Sequence, residues 1–210
     1  FPDSAAEDPV TGAVELPPGL EPQSYLLYSG RKERGKNLDL AIEYFTALQE
    51  RRRKSGSDGK KLSLVLIGSG SIDFLSALPP GVIDLGFGGH SLKIKLMSNS
   101  LALVQPSTNE SFSIVLMESW LSGRPVLVNG HCPVTRHHVM QSGGGLYFND
   151  SDEFAAVVEA LQVTPNLSDQ LGGWGRRYVQ TEYSPAAVLD RLLTALNIGN
   201  SGIGNSDTGN

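Results

Sequence analysis

Two glutamates, Glu110 and Glu118, stand eight positions apart in the segment Pro106-Ser-Thr-Asn-Glu-Ser-Phe-Ser-Ile-Val-Leu-Met-Glu-Ser-Trp-Leu-Ser-Gly-Arg-Pro125. An apolar strand, Leu101–Gln105, precedes them, and a second, Pro125–Asn129, follows. The apolar spacing between predicts an amphipathic helix that begins near Ser113. A mostly helical path would separate the two carboxylates by about 12 Å along its axis. That matches the reach from the ribose to the sugar of a nucleotide-sugar. One carboxylate could hold ribose hydroxyls and the other a transferred sugar. The backbone N–H groups at the helix start, from Ser111, Phe112, Ser113 and Ile114, would face the diphosphate between them.

A second group with the right chemistry lies upstream, in Gly30-Arg31-Lys-Glu-Arg-Gly-Lys36-Asn37. Arg31 can grip two phosphate oxygens at once, and Lys36 acts as a compact point charge. Placed at a departing diphosphate, both stabilise its negative charge without a proton transfer. Lys32, Glu33 and Arg34 are expected to be exposed turn residues. Glu118 has mostly apolar neighbours, so it is expected to be partly buried and to need hydrogen-bond partners. Glu110 also admits a plainer reading, as an acid that compensates the helix dipole. Gly68-Ser-Gly70 serves either a close backbone approach to a ligand or a simple turn. Gly86-Phe87-Gly-Gly-His90 follows the third predicted strand and reads at this point as a turn.

The elements that must position these residues alternate. Near-continuous apolar runs predict strands at Tyr25–Ser29, Leu62–Ile67, Val82–Leu85, Leu101–Gln105, Pro125–Asn129 and Leu146–Phe148. Helical periodicity follows the first strand at Leu38, Ala41, Phe45 and Leu48, and further helices are predicted near 72–78, 91–99, 113–122, 133–141, 152–163, 168–182 and 185–196. Such alternation implies parallel crossovers and a six-stranded, doubly wound, Rossmann-like α/β sheet. Arg31, Gly68, Gly86 and Glu110 then all fall just after strands, at the edge where such sheets bind ligands. The Pro-rich acidic segment 1–24 reads as a linker, 25–197 as the globular domain, and 198–210 as a disordered tail.

The segment around the glutamates resembles the signature of the retaining, two-domain (GT-B fold) glycosyltransferases of family 4. That signature is a Glu, seven residues, a second Glu, then a small-Gly-x-Pro-Val turn, here Ser122-Gly123-Arg124-Pro125-Val126. The Gly30-Arg31…Lys36 segment resembles the family's diphosphate clamp. The likeness runs from about Tyr25 to Leu196. It implies the donor-binding C-terminal half of a GT-B hexosyltransferase, acting in glycan or glycolipid synthesis. The donor would be a nucleotide-diphosphate sugar. The acceptor hydroxyl would belong to a sugar, a lipid-linked molecule or a small molecule. It assigns the ribose hydroxyls to Glu118, the transferred sugar to Glu110 and the nucleobase to the loop that holds Gly86 and Phe87. Catalysis would fall to Glu110, Arg31 and Lys36, with no metal and no cofactor. Leaving-phosphate help in deprotonating the acceptor is likewise implied by the family. Ser113 departs mildly from the family, which often has Gly there. The acceptor domain is not within this chain, so the chain alone is expected to be inactive. The alternatives are a non-catalytic nucleotide-binding module, and an epimerase or phosphorylase of related architecture. The intact glutamate pair argues against the first. The second should carry another glutamate–histidine arrangement or a cofactor lysine.

Length and charge agree. The chain of 210 residues suits one α/β domain, and its net charge of −5 gives no electrostatic footprint for nucleic acid. It opens on Phe1, which reads as a trimmed C-terminal half. No segment of the sequence reads as a signal peptide, and no apolar run in it approaches the length needed to span a membrane. The expected location is cytoplasmic. The basic run Arg51-Arg-Arg-Lys54 with Lys60-Lys61 reads as a solvated helix end or a peripheral patch for anionic lipid on the cytoplasmic face. Cys132 is the sole cysteine, so no internal disulfide forms. His131, Cys132, His137 and His138 lack a nearby carboxylate or second cysteine for zinc, and His137 and His138 are expected on an exposed helix. Gly68-Ser-Gly70 is not a dinucleotide fingerprint, because Asp73 stands where a third Gly is needed.

Overall fold

A computed structural model of the chain describes residues 14–56, 61–74 and 77–196. The strands are β1 (Tyr25–Ser29), β2 (Ser63–Ile67), β3 (Val82–Asp84), β4 (Ala102–Gln105), β5 (Val126–Asn129) and β6 (Gly145–Phe148). The helices are α1 (Leu38–Ser55), α2 (His90–Asn99), α3 (Ile114–Leu121), α4 (Pro133–Ser142), α5 (Ser151–Val163), α6 (Leu167–Glu182) and α7 (Pro185–Ala195). The six strands form one all-parallel sheet in the order β3-β2-β1-β4-β5-β6. The doubly wound sheet predicted from the apolar runs is therefore present, each strand within a residue or so of its predicted bounds.

Successive strand residues point to opposite faces, and both faces are covered. Leu26, Tyr28, Leu64, Leu66, Ala102 and Val104 pack with Phe45 and Leu48 of α1 and Phe154 and Val158 of α5. Tyr25, Leu27, Val65, Ile67, Leu103 and Val128 pack with Leu96 of α2, Leu116 and Trp120 of α3, and Val179 of α6. Trp120 is fully buried, and its indole N–H donates to Gly144 O at 2.7 Å. A Cβ on Gly175 would lie 2.0 Å from Trp120 Cδ1, so α6 packs on α3 only with Gly there.

Two expectations about the helices fail. The helix predicted near 72–78 is not formed: Asp73–Phe74 make a turn, and residues 75–76 lie outside the described ones. Pro79-Pro80 bias the residue before them away from the helical region, and a seven-residue helix has little to offset its nucleation cost. Ile72 and Phe74 pack on the core instead. His138 is buried, not exposed like His137, and its Nδ1 lies 3.0 Å from the Tyr178 hydroxyl. Burial, then the neighbouring His137, holds its pKa below the ordinary histidine value.

The Pro-rich stretch 1–24 is described from residue 14 onward. There Leu20 is buried in the second core layer, and the Gln23 N–H donates to Asn99 O at 2.7 Å. The predicted tail, 198–210, lies outside the described residues. Among the described residues no helix is long and apolar enough to cross a membrane.

Candidate functional site

Strand order reverses direction between β1 and β4. A crevice opens at such a switch point, beyond the carboxyl ends of the strands. The loop after β1 brings Gly30, Arg31 and Lys36 to it, and the loop after β4 brings Glu110. Asn37 ties the loops together through Nδ2, which donates to Pro106 O at 3.4 Å and Thr108 Oγ1 at 3.3 Å. Asn129 at the end of β5 also donates to Pro106 O, at 3.0 Å.

Lys36 Nζ lies 2.9 Å from Glu110 Oε1. The carboxylate side chain is 11% exposed. Buried Gln105, the last residue of β4, points its amide at the same place: Nε2 is 3.2 Å from Ser113 Oγ and 3.4 Å from Glu110 Oε1. Below them, the Tyr28 hydroxyl donates to Arg31 O at 2.5 Å. Burial, then the Glu33 and Glu110 carboxylates, pushes the Tyr28 pKa far above its ordinary value, so the phenol stays a neutral donor.

The helix starts at Ile114, and Glu110–Ser113 is irregular. The helical spacing of about 12 Å drawn between the glutamates therefore does not describe their path. Glu110 sits on a loop, Glu118 on α3, and the first turn of α3 holds no acid. Ser113 makes the bend at φ +67°, in the left-handed region that favours glycine. Its hydroxyl makes no helix-cap bond and faces Gln105 instead.

At the other end, Glu118 is partly buried as expected, but its partner is Lys93 of α2, with Nζ 2.6 Å from Oε1. A cleft of about 490 Å³ is lined by Gly68, Phe87, His90, Lys93 and Glu118. A smaller one of about 170 Å³ is lined by Lys36, Gln105, Glu110 and Ser113. The two share Ser29, Gly30, Arg31, Ile114 and Val115. The two clefts adjoin across these residues and together make a trough with a Lys–Glu pair at each end and Arg31 with the start of α3 between them. Such a trough can hold an anion in the middle and hydroxyl-bearing groups at both ends.

The remaining predicted residues fall less centrally. Ser111 is exposed, and Phe112 packs away from the trough on Tyr183 and His138, at ring distances of 5.1 and 5.3 Å. Gly86 does not line the trough but adjoins Phe87, which is 81% exposed. Gly68 makes a backbone approach to the neighbouring loop: a Cβ there would lie 1.9 Å from Gly30 O. Arg31 is 68% exposed and lies 3.4 Å from Glu33. Lys32 overturns the expectation of an exposed turn residue. Its side chain is 2% exposed, because Nζ reaches Asp84 Oδ1 at 2.8 Å.

Gln105, Lys93 and Lys32 were not found from the sequence. Gln105 had a usable signal, an amide ending a strand that is buried on both faces. Lys93 and Lys95 are indistinguishable by pattern.

A doubly wound parallel domain with this switch-point trough is one half of the GT-B architecture. The chain matches the family model "Glycosyl transferases group 1" over residues 18–177 and belongs to that family. It is 28% identical over 185 residues to the human alpha-1,3/1,6-mannosyltransferase ALG2, covering 80% of this chain and 43% of that protein. It is also 28% identical to the O-antigen chain mannosyltransferase RfbU of Salmonella typhimurium, covering 75% of this chain and 44% of that one. The chain thus spans less than half the length of these relatives. Among solved structures it resembles TarM, with a TM-score of 0.71 at 18% identity, covering 89% of this chain and 37% of that one. It also resembles Anabaena HepE, solved with UDP and glucose, with a TM-score of 0.66 at 16% identity over 83% of this chain and 48% of that one. These structural likenesses bear out the fold expected from the sequence.

Proposed function

We propose that this chain is the donor-binding half of a retaining glycosyltransferase that moves a hexose from a nucleotide-diphosphate sugar to an acceptor hydroxyl. The observation that carries the reading is the single trough with Glu110 and Glu118 at its ends and Arg31 between them. The diphosphate lies against Arg31 and the N–H groups that open α3, where helix dipole and guanidinium both favour an anion. The ribose hydroxyls bond Glu118, whose second oxygen remains available beside Lys93. The sugar hydroxyls bond Glu110.

In the reaction the bond from the anomeric carbon to the diphosphate oxygen breaks, and its electron pair goes to that oxygen. Arg31, the α3 start and Lys36 stabilise the charge that develops there. The acceptor oxygen forms the new bond on the same face, and its proton passes to the leaving phosphate. These positive groups do the work of a divalent cation, so no metal or other cofactor is needed. Two relatives are mannosyltransferases, which makes mannose the first hexose to test. The acceptor, whether sugar, lipid-linked or small, is held by a domain outside this chain. The chain alone therefore binds donor but does not turn over. A cytoplasmic site of action, with peripheral membrane contact through Arg51–Lys54 at the end of α1, belongs to the same proposal.

The test is a crystal structure with an intact nucleotide-sugar. The reading expects diphosphate oxygens within hydrogen-bond distance of Arg31 and of the N–H groups of Ile114 or Val115. A ligand bound elsewhere, or a nucleotide lying the other way round in the trough, contradicts it.

A further inference from the structure

Lys32 and Asp84 form a contact that the donor site, as described so far, does not use. Lys32 follows β1 and Asp84 ends β3, so their 2.8 Å ion pair spans the loop of β2 lying between them. The same Asp84 oxygen accepts the Gly86 N–H at 2.9 Å. Backbone bonds run alongside. Lys32 N–H donates to Ser69 O at 2.8 Å, and Gly68 N–H donates to Gly86 O at 2.9 Å. Gly70, at φ +90°, lets the strands' ends come this close, since a Cβ there would lie 2.8 Å from Lys32 O.

A buried ammonium is an expensive way to close a turn. Its desolvation opposes folding, and an apolar side chain of the same length would fill the space as well. What the pair adds is direction, because an ammonium on a carboxylate fixes the distance between two loops. One loop carries Arg31, and the other carries Phe87 and leads into His90; all three line the trough.

We propose that Lys32 and Asp84 are a positioning pair that holds the base-side loop 84–90 at a set distance from the phosphate-side loop 30–36, so that one nucleoside diphosphate meets both together. The inference rests on the donor-site reading above. Without the pair the loops would still form, but the base-side loop would be in register for part of the time only. If it is competent a tenth of the time, affinity for a ligand that needs both loops falls about tenfold. A ligand that needs only the phosphate loop loses nothing.

The experiment uses the double variant Lys32→Met/Asp84→Asn. It leaves no unpaired buried charge and keeps an amide oxygen for the Gly86 N–H. The melting temperature should stay close to that of the parent. Amide exchange across 85–90 should accelerate. The Kd for whichever of UDP, GDP and ADP the parent binds should rise about tenfold, while the Kd for inorganic pyrophosphate should not change. Unchanged exchange at 85–90 overturns the proposal, as does equal weakening of nucleotide and pyrophosphate or failure of the double variant to fold. If the parent binds none of the three nucleotides, the donor-site reading fails on its own, and the exchange arm still decides whether the pair locks the loops.

Discussion

Glu110 and Glu118 differ in what they touch, and this separates their expected phenotypes. Glu118→Ala removes the proposed ribose contact. A hydrogen bond to a charged group contributes roughly 1.5–3 kcal/mol, so bare nucleoside diphosphate should bind about 10- to 100-fold more weakly. Glu110→Ala removes the carboxylate that holds Lys36 at 2.9 Å. The freed ammonium can turn toward the diphosphate, so nucleotide affinity should hold or rise while nucleotide-sugar affinity falls. Calorimetry on both variants checks this. Equal losses that track a drop in melting temperature would mean that both are scaffold. At this scale the sequence singled out Arg31, Lys36, Glu110 and Glu118 as candidates, because their spacing repeats a family pattern, and the fold brings all four to the trough. It hid Lys32, Lys93 and Gln105. A lysine in a turn looks solvated until its partner is known, and Asp84 lies 52 residues away.

The elements were legible wherever a run was continuously apolar, which is why all six strands were found. The start of α3 near Ser113 was legible too, within one residue of Ile114, but the left-handed bend that Ser113 makes there was not, because no periodicity signals it. Ser113→Gly relieves left-handed strain of about 1–2 kcal/mol. It also loosens the unfolded chain by about 0.4–1 kcal/mol and removes the contact with Gln105, about 0.5–1.5 kcal/mol. These nearly cancel, so urea unfolding should show a change within about 1 kcal/mol. Ser113→Val forces a β-branched residue into the same region and should destabilise by more than about 2 kcal/mol. A similar loss from both variants would show that side-chain contacts, not backbone strain, dominate there. The contact of α4 with α6 supplies a pH test. His138 is packed against Phe112, His137, Tyr178 and Tyr183. Its pKa is depressed in the folded chain, so the unfolded chain binds the proton more readily. The stability from neutral His138 is therefore full above its unfolded pKa of about 6.5 and is lost as pH falls below that toward the folded pKa. Denaturation midpoints between pH 7.5 and 5 should decline less steeply in His138→Phe than in the parent. Parallel slopes would remove His138 as a cause.

For the molecule as a whole, α7 is the helix least tied to the core among the described residues. Among its residues none is buried, and Val188, Leu189, Leu192 and the following Leu196 are about half exposed. Its amides should exchange markedly faster than those of α1, whose Leu38, Ala41, Phe45 and Leu48 are buried. Equal protection of the two helices would mean that α7 is covered in solution. The proposed donor site does not depend on that helix, since its groups come from the switch-point loops and α2 and α3. The most direct test is calorimetric titration of the whole chain with UDP, GDP and ADP in EDTA, repeated with added magnesium. The account predicts that at least one of the three binds in EDTA, with an affinity that magnesium does not raise. No heat from any of them, or binding that appears only with the metal, would contradict it.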